Sequence, residues 1–369
     1  MEFSTLGELS VNGKGSYGIA ASAVPYSKEL YTYLRITDIT DDGRINFNGL
    51  KSVDDVNAKK YKLKPNDIVF ARTGGSTGRN YFYDGHDGEF VYAGFLIKFS
   101  IDSQKVNPRF IKYYCQSKEY KDWVRSFNTG STRGNINAQT YAIMPIPMLS
   151  RKQQDGIVSI LEAIDRKIEG NKHINENLEQ QAQALYQRYF VTKADSDWPI
   201  GHLADLIDVK YGKDHKKLAD GIYPVYGSGG IMRYVERPLY EKESVLIPRK
   251  GTLNNVIYVN QPFWSVDTMF YTEMKQSNVA KFVYHFMKSK DLASMNAGSA
   301  VPSMTTSILN AMELRIPSPE TLESFESSVA PMYEMMQGNE TQSHKLAELR
   351  DTLLPKLMSG QLDISKVQF

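Results

Sequence analysis

The sequence predicts a mixed α/β protein in which two globular domains are separated by two long antiparallel helices, with an internal pseudo-two-fold repeat. Two stretches are rich in helix formers and apolar at steps of three and four residues, as amphipathic helices are. Each follows a globular stretch, and the second repeats the first about 168 residues later, which indicates two copies of one structural unit. The predicted order is a globular domain over 1–150, a central helix over 151–193, a second globular domain over 194–318 and a C-terminal helix over 319–369.

The two predicted helices share an apolar seam and also the interruption within it. The seam follows a heptad pattern, and polar residues interrupt it at Asn171 and Asn175 in one helix and at Asn339 and Ser343 in the other. We therefore expect the helices to pair, although two helical hairpins packed into ordinary domains would show similar spacing. The seam positions are Leu161, Ile164, Ile168, Asn171, Asn175, Leu178, Ala182, Leu185 and Tyr189, repeated at Val329, Met332, Met336, Asn339, Ser343, Leu346, Arg350, Leu353 and Leu357.

A proline is expected to disturb the second predicted helix. Pro331 lies inside the helical pattern, and proline in a helix interior removes a backbone hydrogen bond and clashes with the preceding turn. We expect Pro331 to kink the helix or to mark a true start near Ala330.

The globular stretches repeat more loosely than the helices. Four pairs of segments correspond: Gly130-Ser131 with Gly298-Ser299, Ile146-Pro147 with Ile316-Pro317, 67–74 with 244–251, and 3–9 with 200–206. The repeat therefore extends over both kinds of segment, in the order globule, helix, globule, helix.

Composition excludes several classes of protein. The net charge of +2 is too small for a chain that binds phosphates over its whole surface, so any nucleic-acid surface must be a local patch. The single cysteine, Cys115, excludes a disulfide framework and a cysteine-based zinc site. The N-terminus lacks the features of a signal peptide, and no apolar run approaches the roughly 18 residues that a membrane span needs. We expect a soluble, cytoplasmic protein.

Several segments of the sequence resemble conserved segments of one known family. The segment from Leu349 to Gly360, LRDTLLPKLMSG, closely resembles the sequence of the C-terminal helix in the specificity subunits of type I restriction-modification systems. Segments 161–168, 171–177 and 184–190 look like the central conserved region of that family. Segments 33–38 and 64–74 look like words of its first recognition domain, and 221–230 looks like one from its second. The resemblance covers essentially the whole chain.

The resemblance implies different roles for the globules, the paired helices and the partner subunits. Each globule would be a target recognition domain that recognises one half of a bipartite site on double-stranded DNA. The paired helices would set the distance between the halves and dock two modification subunits, which carry S-adenosylmethionine and methylate adenine; a motor-nuclease subunit joins for cleavage. The seam from Leu161 to Tyr189 spans roughly 43 Å at about 1.5 Å per residue, more than one DNA turn of about 34 Å. No cofactor, metal or catalytic site is expected in this chain.

Base recognition requires side-chain donors that reach base edges, together with contacts to phosphates. Two loops combine such donors with glycines that allow close backbone approach, although each could equally be a surface turn with solvated charges. The candidates in the first loop are Arg72, Thr73, Gly74, Ser76, Thr77, Arg79 and Asn80, with Asn80 suited to adenine. Those in the second are Arg249, Lys250, Thr252 and Asn254.

Two further sets of residues are weaker candidates for DNA contact. One follows the repeated Gly-Ser pair, and the other is a basic run early in the second globule that could also be a solvated charge run. They are Ser131, Thr132, Arg133 and Asn135 with Ser299 and Ser303, and then Lys210, Tyr211 and Lys213.

Partner subunits should dock on helix faces that the seam does not use. The candidates are Tyr186, Arg188, Phe190, Arg350, Lys356 and Met358. The alternative is that the apolar members only seal the ends of the helix pair.

Other functions find less support in the motifs. A DNA methyltransferase would need an Asn/Asp-Pro-Pro-Tyr-like turn, and the chain contains no Pro-Pro pair, Walker loop or His-Glu-x-x-His motif. Asp267, Glu273 and Lys275 form a short nuclease-like pattern of acids and a lysine. A stand-alone nuclease therefore remains an alternative, as does a scaffold whose globules bind protein.

Overall fold

The computed structural model describes residues 2–127, 134–295 and 303–362. The chain divides into two compact units: unit 1 is Met1–Gly170 with Thr341–Phe369, and unit 2 is Asn171–Glu340. Each unit therefore contains one globule and a part of both long helices. Within the described ranges, no helix combines the length and apolarity that crossing a membrane requires.

In the described part of unit 1, the globule contains ten strands and three short α-helices. The strands are β1 (Glu2–Thr5), β2 (Ser16–Tyr17), β3 (Ala23–Val24), β4 (Tyr31–Leu34), β5 (Lys51–Val53), β6 (Asp67–Ala71), β7 (Asn80–Tyr83), β8 (Phe90–Tyr92), β9 (Leu96–Ser100) and β10 (Pro145–Met148). The helices are α1 (Pro108–Tyr114), α2 (Lys118–Arg125) and α3 (Ala138–Ala142). One antiparallel sheet has the order β2-β9-β6-β7, a second has the order β3-β5-β4-β8 with β4 and β8 parallel, and β1 pairs with β10.

Strand β6 is the centre of this globule. All five of its residues are buried, and because side chains alternate between the faces of a strand, they supply two cores. Ile68 and Phe70 pack into the core beside α1 and α3, where Phe70 stacks on Tyr141 with ring centroids 4.7 Å apart. Val69 and Ala71 pack into a second core with the other sheet. The strand is therefore held from both sides, and the loop that follows it starts from a rigid point.

Unit 2 repeats this plan. Its globule contains β11 (Ile200–His202), β12 (Ile207–Tyr211), β13 (Tyr223–Gly227), β14 (Gly230–Val235), β15 (Ser244–Pro248), β16 (Ile257–Val259), β17 (Trp264–Ser265), β18 (Met269–Met274) and β19 (Glu313–Arg315), with helices α5 (Leu203–Leu206), α6 (Ala280–Lys288) and α7 (Thr306–Asn310). The sheet order β12-β18-β15-β16 matches β2-β9-β6-β7, and β15, like β6, is fully buried and supplies two cores.

The register of the strands confirms two of the predicted correspondences and corrects a third. Segments 67–74 and 244–251 both contain the central strand, and 3–9 and 200–206 both contain the strand that pairs with the end of the globule. The alignment of Ile146-Pro147 with Ile316-Pro317 is wrong by two residues, because Phe3 lies opposite Pro147 while Ile200 lies opposite Arg315. The pair Gly130-Ser131 and Gly298-Ser299 lies outside the described residues.

The long helices are α4 (Arg151–Gln187), which continues into a π-helical turn at Arg188–Thr192, and α8 (Pro319–Met358). The second helix begins at Pro319, where the Ser318 hydroxyl accepts a hydrogen bond from the Thr321 N–H at 3.3 Å. The expectation of a start near Ala330 is therefore wrong, because residues before Pro331 already bury Leu322, Phe325 and Val329 in the core of unit 2.

The seam and its polar interruption pair as predicted. None of the eighteen seam positions is exposed. In unit 2, the Asn175 side-chain amide donates to the Met336 carbonyl at 3.0 Å and accepts from the Asn339 amide at 2.8 Å, and the Asn171 amide donates to the Asn339 carbonyl at 3.3 Å. Because lower numbers on α4 meet higher numbers on α8, the helices run antiparallel. The polar layer supplies hydrogen bonds that fix the register.

Candidate nucleic-acid interface

The loop after β6 is held by backbone hydrogen bonds on both sides of Arg72. The Arg72 N–H donates to the Phe95 carbonyl at 3.1 Å, and the Arg72 carbonyl accepts from the Ile136 N–H at 2.9 Å. Thr73 then forms a β-bridge with Asn135. Arg72 therefore leaves the sheet from a backbone that two other chain segments immobilise.

The Arg72 side chain lies on an aromatic ring and has no acidic partner. Its guanidinium carbon lies 5.2 Å from the centroid of the Tyr17 ring, a cation–π contact. Tyr17 is 43% exposed, and its hydroxyl accepts a hydrogen bond from the Ala138 N–H at 3.2 Å. Arg72 Nε is shielded from solvent and has no hydrogen-bond acceptor. No acidic residue in the described ranges forms an ion pair with Arg72.

Unit 2 repeats this arrangement at Arg249. The Arg249 N–H donates to the Thr268 carbonyl at 2.9 Å, and its carbonyl accepts from the Met304 N–H at 2.9 Å. Lys250 forms a β-bridge with Ser303. The guanidinium carbon lies 5.3 Å from the centroid of the Tyr211 ring, and Nη1 donates to the Asp267 carbonyl at 3.3 Å. Arg249, like Arg72, has no ion pair with any acidic residue in the part of the chain that the structure describes.

A glycine follows each of these tyrosines for the same steric reason. A Cβ on Gly18 would lie 2.2 Å from the Ala93 carbonyl oxygen, and one on Gly212 would lie 2.0 Å from the Val266 carbonyl oxygen. Only glycine allows the tyrosine strand to approach the neighbouring backbone so closely. Tyr211 was among the predicted residues and Tyr17 was not, although the Tyr-Gly dipeptide that both share is a sequence signal for Tyr17.

Most of the remaining polar side chains of the first loop are buried or bonded within the protein. Asn80 is 7% exposed, and its amide donates to the Cys115 carbonyl at 2.9 Å, so the expectation that it pairs with adenine is wrong. Ser76 is buried, and the Thr77 hydroxyl donates to the Gly74 and Gly134 carbonyls. The Arg79 Nε lies 2.7 Å from an Asp41 carboxylate oxygen. Gly74 adopts a φ of +77°, which turns the chain after Thr73.

The second loop shows a similar division. Both ends of the Asn254 side chain are occupied, by the Asp291 carboxylate at 3.0 Å and by the Ala293 N–H at 2.9 Å, so Asn254 is a loop support and not a free donor. Lys210 lies 3.9 Å from Asp208 and 3.6 Å from Glu273. Besides Tyr211 and the bonded Asn254, the exposed candidates are Asn135, Lys213, Lys250 and Thr252. Ser131, Thr132, Arg133 and Ser299 lie outside the described residues, and Ser303 is half-buried at the bridge with Lys250.

A family model described as "Type I restriction modification DNA specificity domain" matches residues 1–180 and 195–323. The chain belongs to this family. It is 22% identical over 311 residues to the type I restriction enzyme MjaIX specificity subunit of Methanocaldococcus jannaschii, with 72% of each chain covered. It is 20% identical to the HindI specificity subunit of Haemophilus influenzae, over 82% of this chain and 88% of that protein. The crystal structure of the type I S subunit from M. genitalium shares the fold, with a TM-score of 0.59, 18% identity, and coverage of 96% and 95%.

The docking residues predicted on helix faces outside the seam differ in their accessibility, and four of the six are buried, packed or bonded within the protein. Tyr186 and Met358 are 4% and 2% exposed. Phe190 packs against Phe282 and Phe325, with ring centroids 4.6 and 4.9 Å apart. Arg350 is bound to Asp165 at 3.1 Å. The burial and contacts of these four favour the alternative that they seal the junctions of globule and helix, whereas Arg188 and Lys356 are exposed.

The nuclease-like pattern does not converge on one point. Glu273 lies 3.6 Å from Lys210, and Lys275 lies 3.3 Å from Asp208. Asp267 precedes β18 and Glu273 lies near its far end, and the strand from Met269 to Glu273 spans about 13 Å at roughly 3.3 Å per residue. Membership of the specificity-subunit family does not favour the nuclease alternative, because a specificity subunit is the non-catalytic member of its complex.

Proposed function

We propose that this chain is the DNA sequence-recognising subunit of a type I restriction-modification complex, and that each unit contacts one half of a bipartite site through the loop after its central strand. One observation carries the proposal. The same loop frame occurs twice, and each copy presents an arginine that lies on a tyrosine and has no acidic partner. The equivalent placement of these two arginines in the two units supports two DNA contacts of one design.

The charge of these arginines is available to DNA. An arginine that already pairs with a carboxylate, such as Arg79 with Asp41, must break that pair or bring a negative charge close to the phosphates. Arg72 and Arg249 meet no such cost, and guanidinium groups bind phosphate or base acceptors through two parallel hydrogen bonds. Exposed Asn135, Lys213, Lys250 and Thr252 add donors for phosphate contact, which sets register without selecting sequence.

The proposal extends to partners. The paired helices would set the gap between the half-sites and carry two modification subunits, which would hold S-adenosylmethionine and methylate adenine; a motor-nuclease subunit would join for cleavage. The exposed Arg188 and Lys356 are the two docking candidates that the fold leaves accessible. The names of the relatives, which are specificity subunits of restriction enzymes, support this assignment.

A methylation map tests the proposal. The chain is co-expressed with its modification subunit in a host that lacks other adenine methyltransferases, and the host DNA is sequenced for methylated adenine. We expect a two-part motif with a fixed unspecified gap. A well-formed complex that produces no new methylation would contradict the proposal and favour a protein-binding scaffold. Salt-sensitive binding of the complex to the mapped motif is the second readout, because phosphate contacts release counterions.

A further inference from the structure

We infer that Arg72 and Arg249 are the base-recognising residues of the two units, that each recognises a guanine, and that Tyr17 and Tyr211 are their positioning residues. The inference rests on the proposed function and concerns the chemistry of the same loops. It assigns equivalent roles to two pairs that the sequence places at different spacings: Tyr17 and Arg72 are 55 positions apart, and Tyr211 and Arg249 are 38 positions apart.

The orientation of each guanidinium favours a base edge over a phosphate. A phosphate can be bound by a mobile cation, which a lysine supplies as well as an arginine does, whereas a base edge must be met by donors in a defined plane. The rings of Tyr17 and Tyr211 restrict the guanidinium planes. Because Arg72 Nε is closed off from solvent without an acceptor, the two terminal nitrogens are the donors that Arg72 can direct outward. In the major groove, guanine presents O6 and N7 side by side as two acceptors.

The tyrosines are themselves held, by different means in the two units. The Tyr17 hydroxyl accepts from the Ala138 N–H at 3.2 Å, at the first residue of α3. Tyr211 instead packs edge-on against the buried Phe270, with centroids 5.1 Å apart, and none of the described residues hydrogen-bonds its hydroxyl. This difference provides a matched control, because removing the hydroxyl disturbs the ring of Tyr17 and leaves the ring of Tyr211 in place.

The test uses the assembled modification complex and the motif that the wild type methylates. Arg72→Lys and Arg72→Gln are each compared with Arg249→Lys and Arg249→Gln, with thermal unfolding as the check on folding. The readouts are the methylation map and binding of the complex to DNA in which each motif position is substituted in turn. The backbone bonds that hold Arg72 and Arg249 involve no side-chain atoms, so the variants keep the loop frame.

We expect each arginine variant to lose discrimination at one guanine of one half-site, by about tenfold or more, while the other half-site is recognised as before. Tyr17→Phe should reduce base discrimination at the same motif position as Arg72→Lys does. Tyr211→Phe should discriminate as the wild type does. A uniform loss of binding over all sequences, with an unchanged motif, would show phosphate contacts and overturn the inference while the proposed function stands. A motif without guanine in one half would overturn it for that unit. Absence of methylation by the wild-type complex would instead contradict the proposed function itself.

Discussion

The two units attach their globules to the long helices at equivalent positions but with different chemistry. In unit 1, the Tyr113 hydroxyl donates to the Asp165 carboxylate at 2.8 Å, and Arg350 donates to the same carboxylate at 3.1 Å. In unit 2, position 333, which corresponds to Asp165, is a tyrosine. Its hydroxyl lies 2.9 Å from His285 Nε2, and His285 Nδ1 lies 2.8 Å from the side-chain amide oxygen Oε1 of Gln183. At this position unit 1 has a carboxylate, which we call the charged junction, and unit 2 has the uncharged Tyr333–His285 pair, which we call the neutral junction. Elsewhere on α6, Lys281 forms an ion pair with Glu326 of α8 at 2.6 Å.

Burial explains how each junction works. Burial lowers the pKa of His285 to about 4, so the ring is neutral near pH 7. It then carries its proton on Nδ1, toward Gln183, and accepts from Tyr333 on Nε2. In unit 1, burial and the nearby Asp165 carboxylate raise the pKa of Tyr113, which keeps its hydroxyl a donor. The repeat therefore conserves the place of contact and the satisfaction of buried polar groups, and not the residues.

The loops after the central strands show the opposite behaviour. There the arginine, the tyrosine and the following glycine are the same in both units, although the surrounding sequence differs. A junction inside the protein can exchange one satisfied pair for another. A surface that must present the same donor to a ligand cannot. The contrast supports the assignment of the arginine loops to binding.

The largest effect should come from breaking the charged junction. Asp165→Ala leaves Tyr113 and the largely buried Arg350 without their shared acceptor, and we expect a loss of about 3 kcal/mol in unfolding free energy, with hydrogen exchange rising in unit 1. Asp351→Ala is the matched control, because Asp351 also contacts Arg350 but is 67% exposed. Its loss should stay below about 1 kcal/mol. Equal losses in the two variants would refute the buried role of Asp165.

Lowering the pH should destabilise the neutral junction. The folded pKa of His285, about 4, lies below its ordinary value of 6.5, so the unfolded state takes up the proton first as the pH falls. Stability present above pH 6.5 is therefore lost as the pH falls toward 4, by about 3 kcal/mol in total. Unfolding free energies of the wild type and His285→Gln, measured from pH 7 to pH 4, should differ in slope over this window. Parallel curves would show that His285 is not buried in the neutral form.

Removing one hydroxyl from each junction should separate the two designs further. Tyr333→Phe leaves the buried His285 Nε2 without a donor and should cost about 2 kcal/mol. Tyr113→Phe leaves Asp165 with Arg350 as a partner and should cost about 1 kcal/mol. Denaturant unfolding of the two variants checks the order, and a larger loss for Tyr113→Phe would reverse our interpretation of the junctions.

The smallest effect should be the same in both units. Gly170 and Gly338 occupy equivalent positions inside α4 and α8, and a Cβ at either would meet open space. Gly170→Ala and Gly338→Ala should each raise the unfolding free energy by about 0.5–1 kcal/mol, because alanine is the better helix former. Gly212→Ala serves as the contrast and should destabilise, since its Cβ would strike the Val266 carbonyl. Unequal gains at the two helical sites would reveal packing that the repeat does not share.

Features that depend on local pattern could be predicted from the sequence. The helices, their shared polar layer and the repeated central strands follow from the periodicity of apolar residues, which reflects burial along one element. The predicted alignment of the two Ile-Pro pairs was nevertheless wrong by two residues, because a local dipeptide carries no information on strand register. The predicted C-terminal helix does begin at Pro319, whereas the alternative start near Ala330 was wrong because it gave Pro331 more weight than the apolar residues that precede it.

By itself, the sequence determined the α/β class, the order of globules and helices, and the two arginine loops. The tertiary structure alone decided which polar side chains of those loops are available. The Asn80 amide donates to the carbonyl of Cys115, 35 positions away, and Arg79 pairs with Asp41, 38 positions away. It also decided that Tyr17 belongs with Arg72, and that Tyr186 and Met358 face inward. The physical reason is that burial and hydrogen-bond partners are set by residues distant in the chain, which periodicity within one segment does not record.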